Sequence, residues 1–205
     1  IVEEEIELVI QQVGRITTII RSLLQYSRPG EFNAPITLQP VTPIVEEMLL
    51  LARHSIEQQE VKLIKEFTAT GSVEVNRPQL LQVLINLMVN AAHAIENKGR
   101  IWLRTYDWLE DGIAIGVKIE VEDEGMGISK QDLSRIFDPF YTTRKDGTGL
   151  GLSLSYGIIK RLGGMIEVNS TVGTGTIFTI GLYHKAKDDQ QLGPYEGLHF
   201  GDNTQ

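Results

Sequence analysis

Ile113-Ala114-Ile115-Gly116-Val117-Lys118-Ile119-Glu120-Val121-Glu122-Asp123, followed at once by Glu124-Gly125-Met126-Gly127, is the stretch from which the rest of the chain can be read. Its odd positions are apolar and its even ones mostly small or charged, the alternation of a strand with one buried face. Asp123 shares the parity of Val117, Ile119 and Val121, so its carboxylate is expected to point inward. An inward carboxylate is costly unless donors are supplied to it. The glycines behind it allow a sharp turn and a close approach of backbone to a ligand. Downstream come Phe137-Asp138-Pro139-Phe140, the polar run Thr142-Thr143-Arg144-Lys145-Asp146, and Gly147-Thr148-Gly149-Leu150-Gly151-Leu152 leading into a helix. A glycine-rich loop feeding a helix N-terminus offers N–H groups and a positive dipole end to an anion, typically phosphate. Singly, each feature has a plain reading: glycine loops are often simple turns, an inward Asp is often a satisfied structural acceptor, and Phe137 and Phe140 can be core aromatics.

A second element lies upstream, a helix expected from about Arg77 to Asn97. Leu80, Leu81, Leu84, Leu87, Met88, Ala91, Ala92 and Ile95 make it apolar around much of its circumference. Asn86, Asn90, His93 and Asn97 interrupt it at i, i+4, i+7 and i+11 as one polar stripe. Polar groups in line on a buried helix need partners. A side-chain network is one answer; phosphates and a metal are the other, since the asparagine carbonyl is a hard neutral ligand suited to Mg²⁺.

D-x-G-x-G, F-x-P-F and G-T-G-L-G-L, in this order, resemble the ATP-binding half of the sensor histidine kinases of two-component systems, within the gyrase-type ATPase superfamily. The chain has no G-x-x-x-x-G-K-[ST] loop. The resemblance implies an α/β (α+β) two-layer sandwich, a mixed and mostly antiparallel sheet with helices on one face, and ATP and Mg²⁺ as cofactors. It makes Asn90 the Mg²⁺ ligand, Asn86 its polar neighbour, and His93 the occupant of a place that often carries a basic residue near the phosphates. Related ATPases that use water carry a glutamate general base where Asn86 stands, so its absence favours phosphoryl transfer. By the same resemblance Asp123 reads the adenine amine beside Gly125 and Gly127. Phe140 is implied to contact the nucleotide, and Arg144 and Lys145 to sit in a mobile lid between it and the next glycine element, where the two cations are either solvated or phosphate contacts. Thr148, Gly149, Leu150, Gly151 and Leu152 form the phosphate loop. Gly173-Thr174-Gly175-Thr176 resembles a third glycine element, with Thr176 helping to hold adenine. Asn76, where the family commonly has Asp, is expected only to cap the helix.

The 205 residues are 41% hydrophobic with a net charge of −8, enough for one sizeable core and the wrong sign for a nucleic-acid partner. Cysteine is absent, which excludes disulfides and thiolate metal sites. No apolar run approaches the ~20 residues of a membrane span, so no membrane contact is expected, and the resemblance implies a cytoplasmic domain. Val2, Ile6, Val9, Val13, Ile16, Ile20 and Leu23 follow the alternating 4–3 spacing of a heptad seam. Leu23-Leu24-Gln25-Tyr26-Ser27-Arg28-Pro29 resembles the close of the second dimerisation helix of histidine kinases. The expected organisation is therefore a dimerisation helix over 1–29, a linker over 30–35, a catalytic domain over 36–184 and a disordered tail over 185–205. A homodimer through the helix and a response-regulator receiver domain are the implied partners. None of the four histidines (His54, His93, His184, His199) fits a phosphoacceptor, so the acceptor is expected on a helix preceding Ile1 of a longer protein. Two other readings remain open: an ATPase or serine kinase of the same fold, and a catalytically silent nucleotide-binding dimerisation scaffold.

The remaining pattern predicts strands over Ile36–Leu38, Val61–Phe67, Val73–Val75 and Arg100–Trp108, and a helix opened by Thr42 as N-cap with Pro43 first. A hairpin turn at Glu110-Asp111-Gly112, a short helix from Ser129, a helix over Gly151–Leu162 and a final hairpin complete it.

Overall fold

The computed structural model describes residues 34–57, 60–144 and 147–185. The heptad helix, Lys145 and the tail beyond Lys185 lie outside the described residues. The elements are β1 (Thr37–Pro40), α1 (Val41–Glu57), β2 (Glu60–Phe67), β3 (Ser72–Val75), α2 (Arg77–Ala94), β4 (Lys98–Glu110), β5 (Ile113–Asp123), α3 (Lys130–Leu133), α4 (Gly151–Arg161), β6 (Met165–Thr171) and β7 (Gly175–Tyr183).

β5 spans the residues whose alternation foretold it, and it sits in the middle of a five-stranded sheet of order β2-β4-β5-β7-β6. Among the described residues only the β2–β4 pair is parallel. β4 and β5 join at Asp111 and Gly112, both at positive φ (50° and 78°), which matches the right-handed twist of the strands it connects. Among the described residues β1 and β3 pair only with each other, as a separate two-stranded ribbon.

Register turns the inward face into rows. Thr105, Ile119, Ile180 and Ile166 stand side by side across β4, β5, β7 and β6, and Leu103, Val121, Phe178 and Val168 form the next row. The row above them is Ile101, Asp123, Thr176 and Ser170, so the apolar layer becomes polar at one end of the sheet. α2 lies over this face with Leu80, Val83, Leu84, Leu87 and Met88 fully buried, and α1 adds Ile44, Val45 and Met48 to the same core.

Two helix boundaries differ from expectation. α1 starts at Val41, so Thr42 and Pro43 are its second and third residues rather than N-cap and first helical residue. Pro40 still pairs with Ser72, and burial of Val41 to 1% exposure turns the chain into the helix straight from the strand. α2 ends at Ala94 because Ile95 is extended (φ −91°, ψ 113°) and buried in the core, which takes Asn97 out of the helix and off the polar stripe. The cap of α2 is as expected: Asn76 Oδ1 accepts from Gln79 N–H at 3.1 Å, and its Nδ2 donates to Ala34 O at 2.7 Å.

Thr105 stands out in this core. Its carbonyl accepts from Thr68 and Ala69, yet its hydroxyl is fully buried with no partner among the described residues. Thr105→Val keeps the shape and removes the unsatisfied group, so it is expected to raise unfolding free energy by about 1 kcal/mol. Urea denaturation checks this; a lowered midpoint would mean the hydroxyl has a partner in solution.

Candidate functional site

The polar row at the end of the sheet is the floor of the site. Asp123 is 4% exposed, and its Oδ1 accepts from Gly125 N–H at 2.8 Å. The Thr176 amide, opposite Asp123 in the β5–β7 pair, also favours the charged form of this carboxylate. Burial nevertheless pushes its pKa up to about 6, against the two amides and helped by neighbouring Glu122. No cation pairs with Asp123 among the described residues, so a ligand donor is the natural relief for it.

The turn after Asp123 is held from two sides. Met126 N–H donates to Ala94 O at the end of α2 (3.0 Å), and Gly173 N–H to Met126 O (2.8 Å). Glu124 takes the Arg100 N–H at 3.1 Å and pairs with its guanidinium, which holds that carboxyl below its usual range. Gly127 follows at φ +70°. Thr176, 4% exposed, contacts Ser170 Oγ at 2.9 Å, and Ser170 also reaches Ile128 N and Gly175 O. Ser170 was not singled out from sequence. Its only signal was its place in the hairpin before the third glycine element.

The stripe on α2 is divided between two roles. Asn86 Nδ2 donates to Ser155 Oγ of α4 at 3.0 Å, and a Cβ on Gly151 would lie 2.3 Å from Asn86 Oδ1. Gly151 thus permits the α2–α4 contact, and Asn86 is committed to it. Ser155, buried at 2% exposure, was likewise missed; it is a small polar residue inside an otherwise apolar helix face. Asn90 is half-buried and makes no hydrogen bond to another described residue. His93 is exposed, and its pKa is lowered by desolvation and then by the charge of Arg144, which places that loop cation near the end of α2.

The segment between the glycine turns is anchored at both ends. Phe137 packs on Tyr156 of α4 with ring centroids 5.2 Å apart, so it is a core aromatic. Asp132 takes hydrogen bonds from Ser129 and Tyr141 hydroxyls. Phe140, at φ +67°, donates its N–H to Gly149 O at 2.9 Å, and the residue is 64% exposed. Thr148 Oγ1 accepts from Leu150 N–H at 3.4 Å. Leu150 is buried and Leu152 packs on the core, so these two can offer a ligand only their backbone. A cleft of about 490 Å³ opens between α2 and α4, lined by Gln82, Asn86, Val89, Thr148, Gly151 and Ser155 among others. Asp123 and Thr176 are not among its lining residues, so the polar row lies outside this cleft.

A buried acceptor in a sheet, a polar stripe on the helix above it and a glycine loop opening a second helix define a class of nucleotide-binding domain. The chain belongs to the family of histidine kinase-, DNA gyrase B-, and HSP90-like ATPases, whose pattern matches residues 75–186. It is 35% identical over 179 residues to the signal transduction histidine-protein kinase AtoS of Escherichia coli (strain K12), covering 87% of this chain and 28% of AtoS. It is 36% identical over 177 residues to the sensor histidine kinase ZraS of Salmonella typhi, covering 84% of this chain and 36% of ZraS. The nucleotide-free catalytic domain of histidine kinase ThkA superposes with a TM-score of 0.65 at 29% identity, covering 74% of this chain and 97% of that one. The described part is thus a catalytic ATP-binding domain of the histidine-kinase type, and the chain spans about a third of the curated relatives' length. Among the described residues no helix is long and apolar enough to cross a membrane.

Proposed function

We propose that this chain binds Mg²⁺-ATP and transfers the γ-phosphoryl group to a histidine on a dimerisation helix, for relay to a response-regulator aspartate. The carrying observation is Asp123, a buried carboxylate with no cation partner among the described residues, beside Thr176 in the polar row. Its ionised form accepts a hydrogen bond from the exocyclic amine of adenine. The turn glycines Gly125 and Gly127 let the base lie against backbone, and the loop from Thr148 to Leu152 turns N–H groups toward the phosphates. Arg144, with Lys145 beside it in sequence, supplies positive charge there, while the lowered pKa of His93 keeps it neutral at physiological pH.

The donor set suits Mg²⁺. Asn90 offers a free, hard carbonyl oxygen, and no group of three His, Asp or Glu is arranged as a metal cage among the described residues. A metal held through one side chain and the substrate's own phosphates fits that set. When bound, it neutralises charge on the transferring phosphoryl group. Asn86 has no carboxylate to activate water and is engaged by Ser155, which supports transfer over hydrolysis. We assign residues 1–29 to the dimerisation helix of a homodimer and 36–184 to the catalytic domain.

The test uses Mg²⁺-ATP labelled at the γ position, this chain, and a separate protein carrying a dimerisation helix pair with its acceptor histidine. Acid-labile, alkali-stable phosphate is expected on the added protein and on none of this chain's own histidines. Asn90→Ala should weaken Mg²⁺-ATP binding about tenfold or more while leaving adenosine binding nearly unchanged. Alkali-labile phosphoserine on the acceptor would favour the serine-kinase reading. ATP binding without any transfer would favour the silent scaffold. Equal loss of ATP and adenosine in Asn90→Ala would make Asn90 structural.

A further inference from the structure

Ser170 is a hub with no role in the reading above. Its Oγ lies 2.8 Å from Ile128 N, 2.9 Å from Gly175 O and 2.9 Å from Thr176 Oγ1. A hydroxyl has one proton and two lone pairs. The Ile128 amide can only donate and the Gly175 carbonyl can only accept. The single Ser170 proton therefore belongs to Gly175 O, and the third contact is completed when Thr176 Oγ1–H donates to Ser170 Oγ. All capacity of the Ser170 hydroxyl is then used, and the Thr176 proton is turned away from Asp123.

This arrangement has a chemical consequence for the ligand. Thr176 Oγ1 keeps only lone pairs for the site, and the ionised Asp123 beside it in the same row is likewise an acceptor. Two acceptors side by side suit a group with two N–H donors, and they repel a carbonyl in the same place. We infer that Ser170 is a positioning residue for base recognition: it fixes the Thr176 hydroxyl as an acceptor, so that the site takes a 6-amino purine and rejects a 6-oxo purine. It acts through Thr176 and not by touching the base. The inference rests on the proposed binding of ATP. The same three bonds tie the turn after Asp123 to the β6–β7 hairpin, so Ser170 joins two glycine elements that are 42 residues apart at Ile128 and Ser170.

The test compares ATP with inosine triphosphate, which replaces the 6-amine by a 6-oxo group, by titration calorimetry with Mg²⁺ on the full 205-residue chain. In Ser170→Ala the Thr176 hydroxyl is free to rotate and present its proton. ATP affinity is expected to fall about tenfold while ITP affinity stays within about twofold, so that the ATP:ITP ratio collapses about as much. Ser170→Thr retains the hydroxyl and should restore the ratio. In a Thr176→Val background, Ser170→Ala should leave the ratio unchanged, because there is no longer a proton to orient. Should Ser170→Ala fail to fold, the ratios of Ser170→Thr and Thr176→Val still decide: preference kept in the first and lost in the second is expected, and any other pattern overturns the inference. A common fall for both nucleotides in Ser170→Ala would leave Ser170 a structural tie and overturn the positioning role alone. A wild-type chain that binds neither nucleotide would overturn the nucleotide reading as well.

Discussion

Asp123→Asn is expected to weaken ATP binding by about ten- to a hundredfold, the loss of one charge-assisted hydrogen bond, and at the same time to stabilise the ligand-free fold at neutral pH. The two effects have one cause. Burial raises the Asp123 pKa from an ordinary 3.8 to about 6, so the folded chain binds this proton more tightly than the unfolded one. Stability from the group is complete below the unfolded value and is lost as pH rises through about 6. At pH 7.5 the ionised carboxylate costs the empty fold about 3 kcal/mol, at roughly 1.4 kcal/mol per pKa unit. Asparagine cannot ionise and removes that cost, while Oδ1 can still accept from Gly125 N–H. It also sets an N–H₂ group against the amine of adenine, where both would be donors. Urea denaturation should show the variant ahead at pH 7.5 and level with wild type near pH 3.5. Wild-type ATP affinity should itself decline as pH drops below about 6, with the protonation of Asp123. A variant no more stable at pH 7.5, or one with undiminished ATP affinity in calorimetry, would remove Asp123 from its assigned role.

Gly175→Ala is expected to be the most destabilising single methyl in the site. Gly175 sits at φ +135°, a conformation closed to L side chains, and a Cβ there would lie 1.8 Å from the Asp123 carbonyl oxygen. That oxygen is sheet backbone and cannot step aside, because β5 and β7 are in register through Asp123 and Thr176. Strain and clash together should cost more than about 3 kcal/mol and separate the β6–β7 hairpin from β5, abolishing nucleotide binding. Gly173→Ala is the matched control in the same turn. Its φ of +79° also disfavours alanine, but no atom lies within 4 Å of the added Cβ. It should cost only about 1–2 kcal/mol and leave ATP affinity intact. Equal losses in the two variants, by thermal and urea unfolding, would show that the close approach at Gly175 relaxes freely.

How much of this was legible in the chain depends on the range of the interaction concerned. The alternation from Ile113 to Asp123 gave both the extent of β5 and the inward direction of the Asp123 carboxylate. Asn76 as cap, the Asp111-Gly112 turn and the short helix opened by Ser129 followed from local chemistry, since each rests on groups within a few residues. Local pattern failed where burial overrode it. Val41 enters the helix ahead of Thr42 because its side chain is taken into the core, and Ile95 leaves α2 early for the same reason, carrying Asn97 out of line.

By itself the sequence determined the order of the elements, the parity that aims Asp123 inward and the spacing that puts Asn86, Asn90 and His93 along one helix, because a strand repeats every two residues and a helix every 3.6. Only the tertiary structure decided which of those groups are free. Asn86 is bound to Ser155 across 69 residues, Asn90 is left uncommitted, and Ser170 meets Thr176 as the end of a row running over four strands. Such pairings depend on strand register and on how closely α4 settles against α2, and no periodicity along one segment records either.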